Sequence, residues 1–128
     1  MNTEGPYKKR KRWRWRARQV ATRFELVDDD LVRTVFLDDG RNYVHSCSRK
    51  VLEEVAWAME EHPNEGVRIP ALIEELEVPE SQVYVARDFL LDRGWIEVRH
   101  HRCYPAYGDV HLNAMCDFYA LAEQKEES

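Results

Sequence analysis

The sequence predicts an α+β fold: a short antiparallel meander, three helices, a β-ribbon and a closing helix. Three observations carry this. Residues 31–45 are rich in β-branched and aromatic side chains on both sides of Asp39-Gly40, a hairpin signal. After Ser46 or Ser48 the apolar residues change to helical spacing. Gly94 then separates the last of three helical stretches from the alternating segment Trp95–Arg99.

The first element is a basic arm, residues 1–18. It holds eight Lys/Arg and one acid, Glu4, a charge of +7, whereas residues 19–128 carry −12 and the whole chain −5. Turn formers and self-repulsion predict that residues 1 to about 12 are disordered when free. Trp13-Arg14-Trp15-Arg16-Ala17-Arg18 alternates aromatic and cationic side chains with period two. Such a cationic arm on an anionic body suits a polyanion, or folds back onto its own acidic body. The basic start lacks a following apolar stretch, so a secretory signal is not expected, and no run is long enough to span a bilayer. The expected location is cytoplasmic.

Residues 19–45 read as strands. Val20, Phe24, Leu26 and Val27 precede the acidic turn Asp28-Asp29-Asp30, and Leu31–Leu37 follows. Both residues of Asp39-Gly40 are expected at positive φ in a two-residue turn before Arg41–His45 returns. A helix over residues 14–26 is the competing reading. Residues 46–123 read as the helical domain with its ribbon and last helix, and 124–128 as a frayed tail. Leu52, Val55, Ala56 and Met59 form the first helical stripe, broadened by Val51 and Trp57, and His62-Pro63 ends it. Pro70 opens a short helix with Leu72, Ile73 and Leu76 on its apolar side. A third helix runs from Glu80 to Arg93, with Val83, Ala86 and Leu90 inward and Phe89 beside them. Trp95–Arg99 is the first ribbon strand, 100–109 its loop and Val110-His111-Leu112 its return. Asn113 is then expected to cap a last helix striped by Met115, Phe118, Tyr119 and Ala122.

From Ser48 to Leu121 this order resembles a winged helix-turn-helix domain. The resemblance rests on Leu72-Ile73-Glu74-Glu75-Leu76-Glu77-Val78-Pro79, then Val83, then Leu90-Leu91-Asp92-Arg93-Gly94-Trp95-Ile96. Val78 fits the apolar plug of the tight turn between two steeply crossed helices. Pro79 stands where a capping Ser is usual, Glu77 where Gly is common, and Arg87 where an inward Leu is frequent.

The resemblance implies DNA binding, with the third helix in the major groove. Ser81, Gln82, Tyr84, Val85, Arg87 and Asp88 would face outward; Gln82 suits adenine, and Arg87 guanine or phosphate. Arg99, His100, His101 and Arg102 would act from the wing. Lys8, Lys9, Arg10, Lys11, Arg12, Arg14 and Arg16 would neutralise phosphates, and Trp13 and Trp15 could stack on bases. Residues 68–94 oppose this: they hold three cations and six acids. Two readings therefore stand. One is a small DNA-binding transcription regulator with phosphate contacts from the arm. The other is a winged-helix protein-interaction module in a larger assembly.

His45, Cys47, His100, His101, Cys103, His111 and Cys116 match no metal-binding spacing, and buried reduced thiols with surface histidines explain them. Asp-rich segments 28–30 and 38–39 read as turns. No phosphate loop or nucleophile motif is present, so neither an enzyme nor a cofactor is expected. The stripe Met115, Phe118, Tyr119, Ala122 either packs on its own domain or pairs with a second copy in a homodimer.

Overall fold

A computed structural model describes residues 17–127. The expectations for residues 1–16 lie outside the described residues. The chain is α+β, with strands β1 (Gln19–Val27), β2 (Asp30–Leu37) and β3 (Asn42–Ser48), then α1 (Arg49–Glu61), α2 (Ile69–Leu76) and α3 (Glu80–Asp92). A ribbon of β4 (Ile96–Arg99) and β5 (Arg102–Pro105) leads to α4 (Val110–Glu127). The strands form two antiparallel sheets, ordered β1-β2-β3 and β4-β5.

The meander forms as the β-branched and aromatic composition and the turn signals predict, and residues 19–27 are strand rather than helix. Register pairs Leu26 with Leu31 and Leu31 with Cys47, so three apolar side chains meet on the inner face. The turns differ from expectation. Gly40 alone is left-handed in its loop (φ 90°), which closes through Leu37 N–H to Arg41 O (2.9 Å) and Gly40 N–H to Leu37 O (3.2 Å). One extra residue removes the need for positive φ at Asp39. The two-residue turns with both positions left-handed are Asp28-Asp29 (φ 51° and 67°) and His100-His101 (51° and 66°).

β3 continues past His45 to Ser48, whose Oγ accepts from Val51 N–H and caps α1. Val51, Leu52, Val55, Ala56 and Met59 are buried. Trp57 does not join them: it is 45% exposed and stacks on His111 at 4.1 Å. Pro70 sits in the first turn of α2, and Glu77 ends that helix in the left-handed conformation (φ 55°). Gly94 (φ 80°) closes α3, as its position in the sequence required.

The ribbon is shorter than expected. Its turn closes at His100-His101, so β5 is Arg102–Pro105 and Val110-His111-Leu112 is the first turn of α4. Helical spacing governs that segment: Val110, Ala114, Phe118 and Leu121 are all buried. Asn113 is inside the helix rather than at its cap, and its Nδ2 donates to Asp109 O at 2.8 Å. Met115 and Phe118 face the core, whereas Tyr119 is 49% exposed. The segment before α2 also touches the ribbon, through an antiparallel bridge between Val67 and Cys103.

One apolar core unites the chain. Leu26, Leu31 and Cys47 of the meander belong to the same cluster as Leu52, Val55, Val83, Phe89, Val110 and Phe118. The stretches 19–45 and 46–123, expected as successive parts, therefore share their interior.

Two backbone positions generate opposite stability effects. Gly66 has φ 73°, and a Cβ there would meet the Tyr104 ring at 2.8 Å. Gly66→Ala is expected to lower unfolding free energy by about 1–2 kcal/mol. Glu77→Gly relieves a left-handed non-glycine residue and is expected to raise it by about 0.5–1 kcal/mol. Urea denaturation of the two variants against the parent measures both signs.

Candidate nucleic-acid and partner interfaces

The meander lies across α3. Inner-face positions of β1 and β2 alternate as Phe24 and Leu26, then Leu31, Arg33 and Val35. Phe24 meets Phe89 edge-on, with centroids 5.3 Å apart. On α3, Gln82, Val85 and Phe89 recur at i, i+3 and i+7 and form a second row beside Val83, Ala86 and Leu90, with Val85 and Phe89 buried and Gln82 half-buried. Val85 is fully buried. Of the six residues expected on the outward face of α3, Val85 is thus buried and Ser81, Gln82, Tyr84, Arg87 and Asp88 are half-buried, because the chain's own sheet packs against part of that face.

Polar groups lock this contact. Arg33, on the buried face of the central strand, places Nη1 2.5 Å from Asp88 Oδ2. Its Nη2 lies 3.2 Å from His45 Nδ1. A guanidinium only donates, so Nδ1 must accept and the imidazole proton sits on Nε2. Asp88 Oδ1 also accepts from Arg87 Nε (3.0 Å) and Nη2 (2.8 Å). One carboxylate therefore serves two guanidiniums. Arg33 Nε is buried without a protein partner. At the other end of the contact, Gln82 Oε1 accepts from Ser48 N–H at 3.1 Å.

The candidate reading residues are placed as follows. Gln82 spends its carbonyl on Ser48, so it is not free to pair bidentately with a base. Ser81 is half-buried in a groove shared with Val44–Ser48 and Pro79. Tyr84 and Arg87 are half-exposed neighbours, the guanidinium 4.9 Å from the ring centroid. Arg99 is exposed, lies over the Tyr104 ring at 4.1 Å and pairs with Glu97 at 3.2 Å. His100 and His101 are exposed in the ribbon turn, and Arg102 donates to Glu65 O at 3.3 Å. Lys8, Lys9, Arg10, Lys11, Arg12, Arg14 and Arg16 lie outside the described residues. Other cations of the body are also engaged: Arg23 with Glu25, Arg41 with Asp39, and Arg93 with Asp92.

A second cluster was not singled out by sequence. On the α1–α4 surface, Trp57 stacks on His111, whose backbone N–H donates to Glu60 Oε1 (3.1 Å). Glu53 Oε1 lies 3.8 Å from His111 Nε2. Leu112 stands beside His111 in sequence and is 61% exposed. The cue was the repeat Glu53, Trp57, Glu60 on one side of α1, but nothing local linked it to His111. Arg33 was also legible, as a charge in the inward register of a strand otherwise apolar at positions 31 and 35.

Among the described residues no three His, Cys, Asp or Glu side chains converge as a metal site. Cys47 and Cys103 are buried, and desolvation raises both thiols, Cys47 to about 12. Neither supplies a thiolate near neutral pH. Among the described residues no helix is long and apolar enough to cross a membrane. Comparison with protein-family models, curated proteins and solved structures finds no match to the chain.

Removing the Asp88 carboxylate strands the Arg33 charge. Asp88→Ala is expected to cost about 2–4 kcal/mol, less than full burial would imply because Asp88 keeps some solvent contact, and Arg33→Met on that background is expected to recover part of the loss. Equilibrium unfolding of the two single variants and the double variant measures the coupling. Native protein is expected to react with a thiol reagent at Cys116 alone, and at all three cysteines once unfolded. The folded chain keeps the Cys47 proton where the unfolded thiol ionises near 9.0, so stability is expected to fall as pH rises from about 9 towards 12.

Proposed function

We propose that the chain is a winged-helix protein-interaction module whose α3 serves its own architecture rather than reading base sequence. The order α1, Val67 bridge, α2, turn, α3, β4–β5 ribbon supports the winged-helix reading: the residue between the first two helices pairs with the returning ribbon strand. The left-handed Glu77 supports it too, since that is where the resemblance leads one to expect Gly. The observation that carries the functional reading is the sheet packed on α3, with Val85 sealed, Gln82 engaged and Asp88 paired to Arg33.

Electrostatics favour the same reading. Residues 19–128 carry −12, and most of their guanidiniums already face carboxylates. A duplex binds by having its phosphates neutralised, which this body does poorly. Trp57, stacked on His111 and flanked along α1 by Glu53, Glu54, Glu60 and Glu61, suits a partner surface that is apolar at its centre and basic at its rim.

A second reading has its own observation. The +7 arm, with Trp13 and Trp15 among its cations, suits phosphate contact with bases stacked on the rings. In that form the protein is a small DNA-binding regulator held by its arm, with Arg99, His101 and Arg102 of the ribbon adding contacts, and α3 adds little.

Titrating a mixed duplex pool separates these from a sequence reader. Full-length protein is expected to bind with steep salt dependence, and binding is expected to vanish on deletion of residues 1–18. Gln82→Ala and Arg87→Ala are expected to change DNA affinity less than twofold. A tenfold loss of affinity in either folded variant would establish α3 as a reading helix and overturn the proposal.

A further inference from the structure

The meander has two edges of very different character. The free edge of β1 is guarded by a charged pair, Arg23 and Glu25, and by a register shift between Gln19 and Ala21. Charges and bulges of this kind discourage pairing with another chain. The free edge of β3 has neither. Asn42-Tyr43-Val44-His45-Ser46-Cys47-Ser48 contains no Asp, Glu, Lys, Arg, Pro or Gly, and its pairing with β2 is regular throughout.

The backbone of β3 can be oriented from one contact. Ser48 N–H points away from β2, since it donates to Gln82. In an antiparallel ladder every second residue points the same way, so Asn42, Val44 and Ser46 also turn their N–H and C=O groups outward. Neither Val44 nor Ser46 has a main-chain partner beyond the sheet among the described residues. Tyr43 and Val44 are 41% and 55% exposed along the same edge.

We infer that this edge pairs with the same edge of a second copy, β3 against β3 about a two-fold axis at Val44. The sequence of the open stretch argues for self-pairing over any other strand. Asn42-Tyr43-Val44-His45-Ser46 reads polar, aromatic, apolar, aromatic, polar in both directions. An antiparallel partner centred on Val44 sets Val44 opposite Val44, Asn42 opposite Ser46, and Tyr43 opposite His45. Each cross-strand pair is then matched in character, which is what stabilises a sheet. The outward groups at 42, 44 and 46 supply about six main-chain hydrogen bonds across the axis. Pairing stops at Ser48, whose N–H is already taken by Gln82, and the two meanders become one six-stranded sheet. The contact is isologous and closes at two copies.

The α4 surface is the natural rival. Met115 and Phe118 of its predicted stripe are committed to the core, leaving Leu112, Cys116 and Tyr119 outside. The inference concerns the sheet edge alone and does not depend on the winged-helix reading or on the partner proposed above.

Sedimentation equilibrium of the full chain tests it. The parent is expected to show a monomer–dimer equilibrium. Val44→Lys sets two like charges on the axis and is expected to weaken it by about tenfold or more. Ser46→Pro, which removes an outward N–H from an exposed position, is expected to act in the same direction. Leu112→Lys and Tyr119→Glu are expected to leave it unchanged, with circular dichroism showing every variant folded. Amide exchange at Val44 and Ser46 should slow as protein concentration rises. A parent that stays monomeric at millimolar concentration overturns the inference. So does a dimer that survives Val44→Lys or is lost in Leu112→Lys.

Discussion

The packing of the meander against α3 is the constraint on which the rest of this molecule depends. A helix in a small domain ordinarily buries one side. Here α3 buries two, Val83, Ala86 and Leu90 against the other helices and Val85 and Phe89 beneath the sheet. The sheet brings an Arg into that contact, and Asp88 answers it. Taking Arg33 out of water is costly, and the charge is tolerated because Asp88, His45 and the Tyr43 ring surround it. The pair also fixes where the sheet sits on the helix. Apolar contact alone would permit sliding; a guanidinium meeting a carboxylate permits little.

This arrangement decides what the surface can do. A helix packed on two sides retains only a strip for outside contact, here the half-buried Ser81, Tyr84, Arg87, Asp88 and Leu91, with Glu80 and Asp92 exposed at its ends. Arg87 on that strip is partly neutralised by Asp88. Elsewhere on the body Arg23, Arg33, Arg41, Arg93 and Arg99 also face carboxylates, and residues 19–128 carry a net −12. Positive potential is concentrated in the arm.

Much of the fold was legible in the sequence because the relevant signals are local. The β-branched and aromatic run Leu31–Leu37, the cap at Ser48, the proline at position 70 and the left-handed Gly94 each act within a few residues. The errors arose where two local rules competed. Val110-His111-Leu112 resembles a strand in composition, yet Val110, Ala114 and Phe118 share a helix face, and burying that face prevailed. Asp39-Gly40 looked like a two-residue turn, but an added residue gave an easier backbone. Trp57 looked like core, and ended on His111 because the core was already filled by Val55, Ala56 and Met59. The candidate site was less legible: the reading-helix pattern identified residues by their place on one helix and gave no notice of the sheet that covers them.

What the chain determines on its own is therefore periodicity, capping, turn chemistry and the division of charge between arm and body, since each depends on neighbours in sequence or on composition. Tertiary structure alone decided which side of α3 meets solvent, that Arg33 pairs with Asp88 across 55 residues, and that one sheet edge is left open while the other is guarded. These are contacts between distant segments, and a helix with two apolar rows does not say which of its remaining sides another element will occupy.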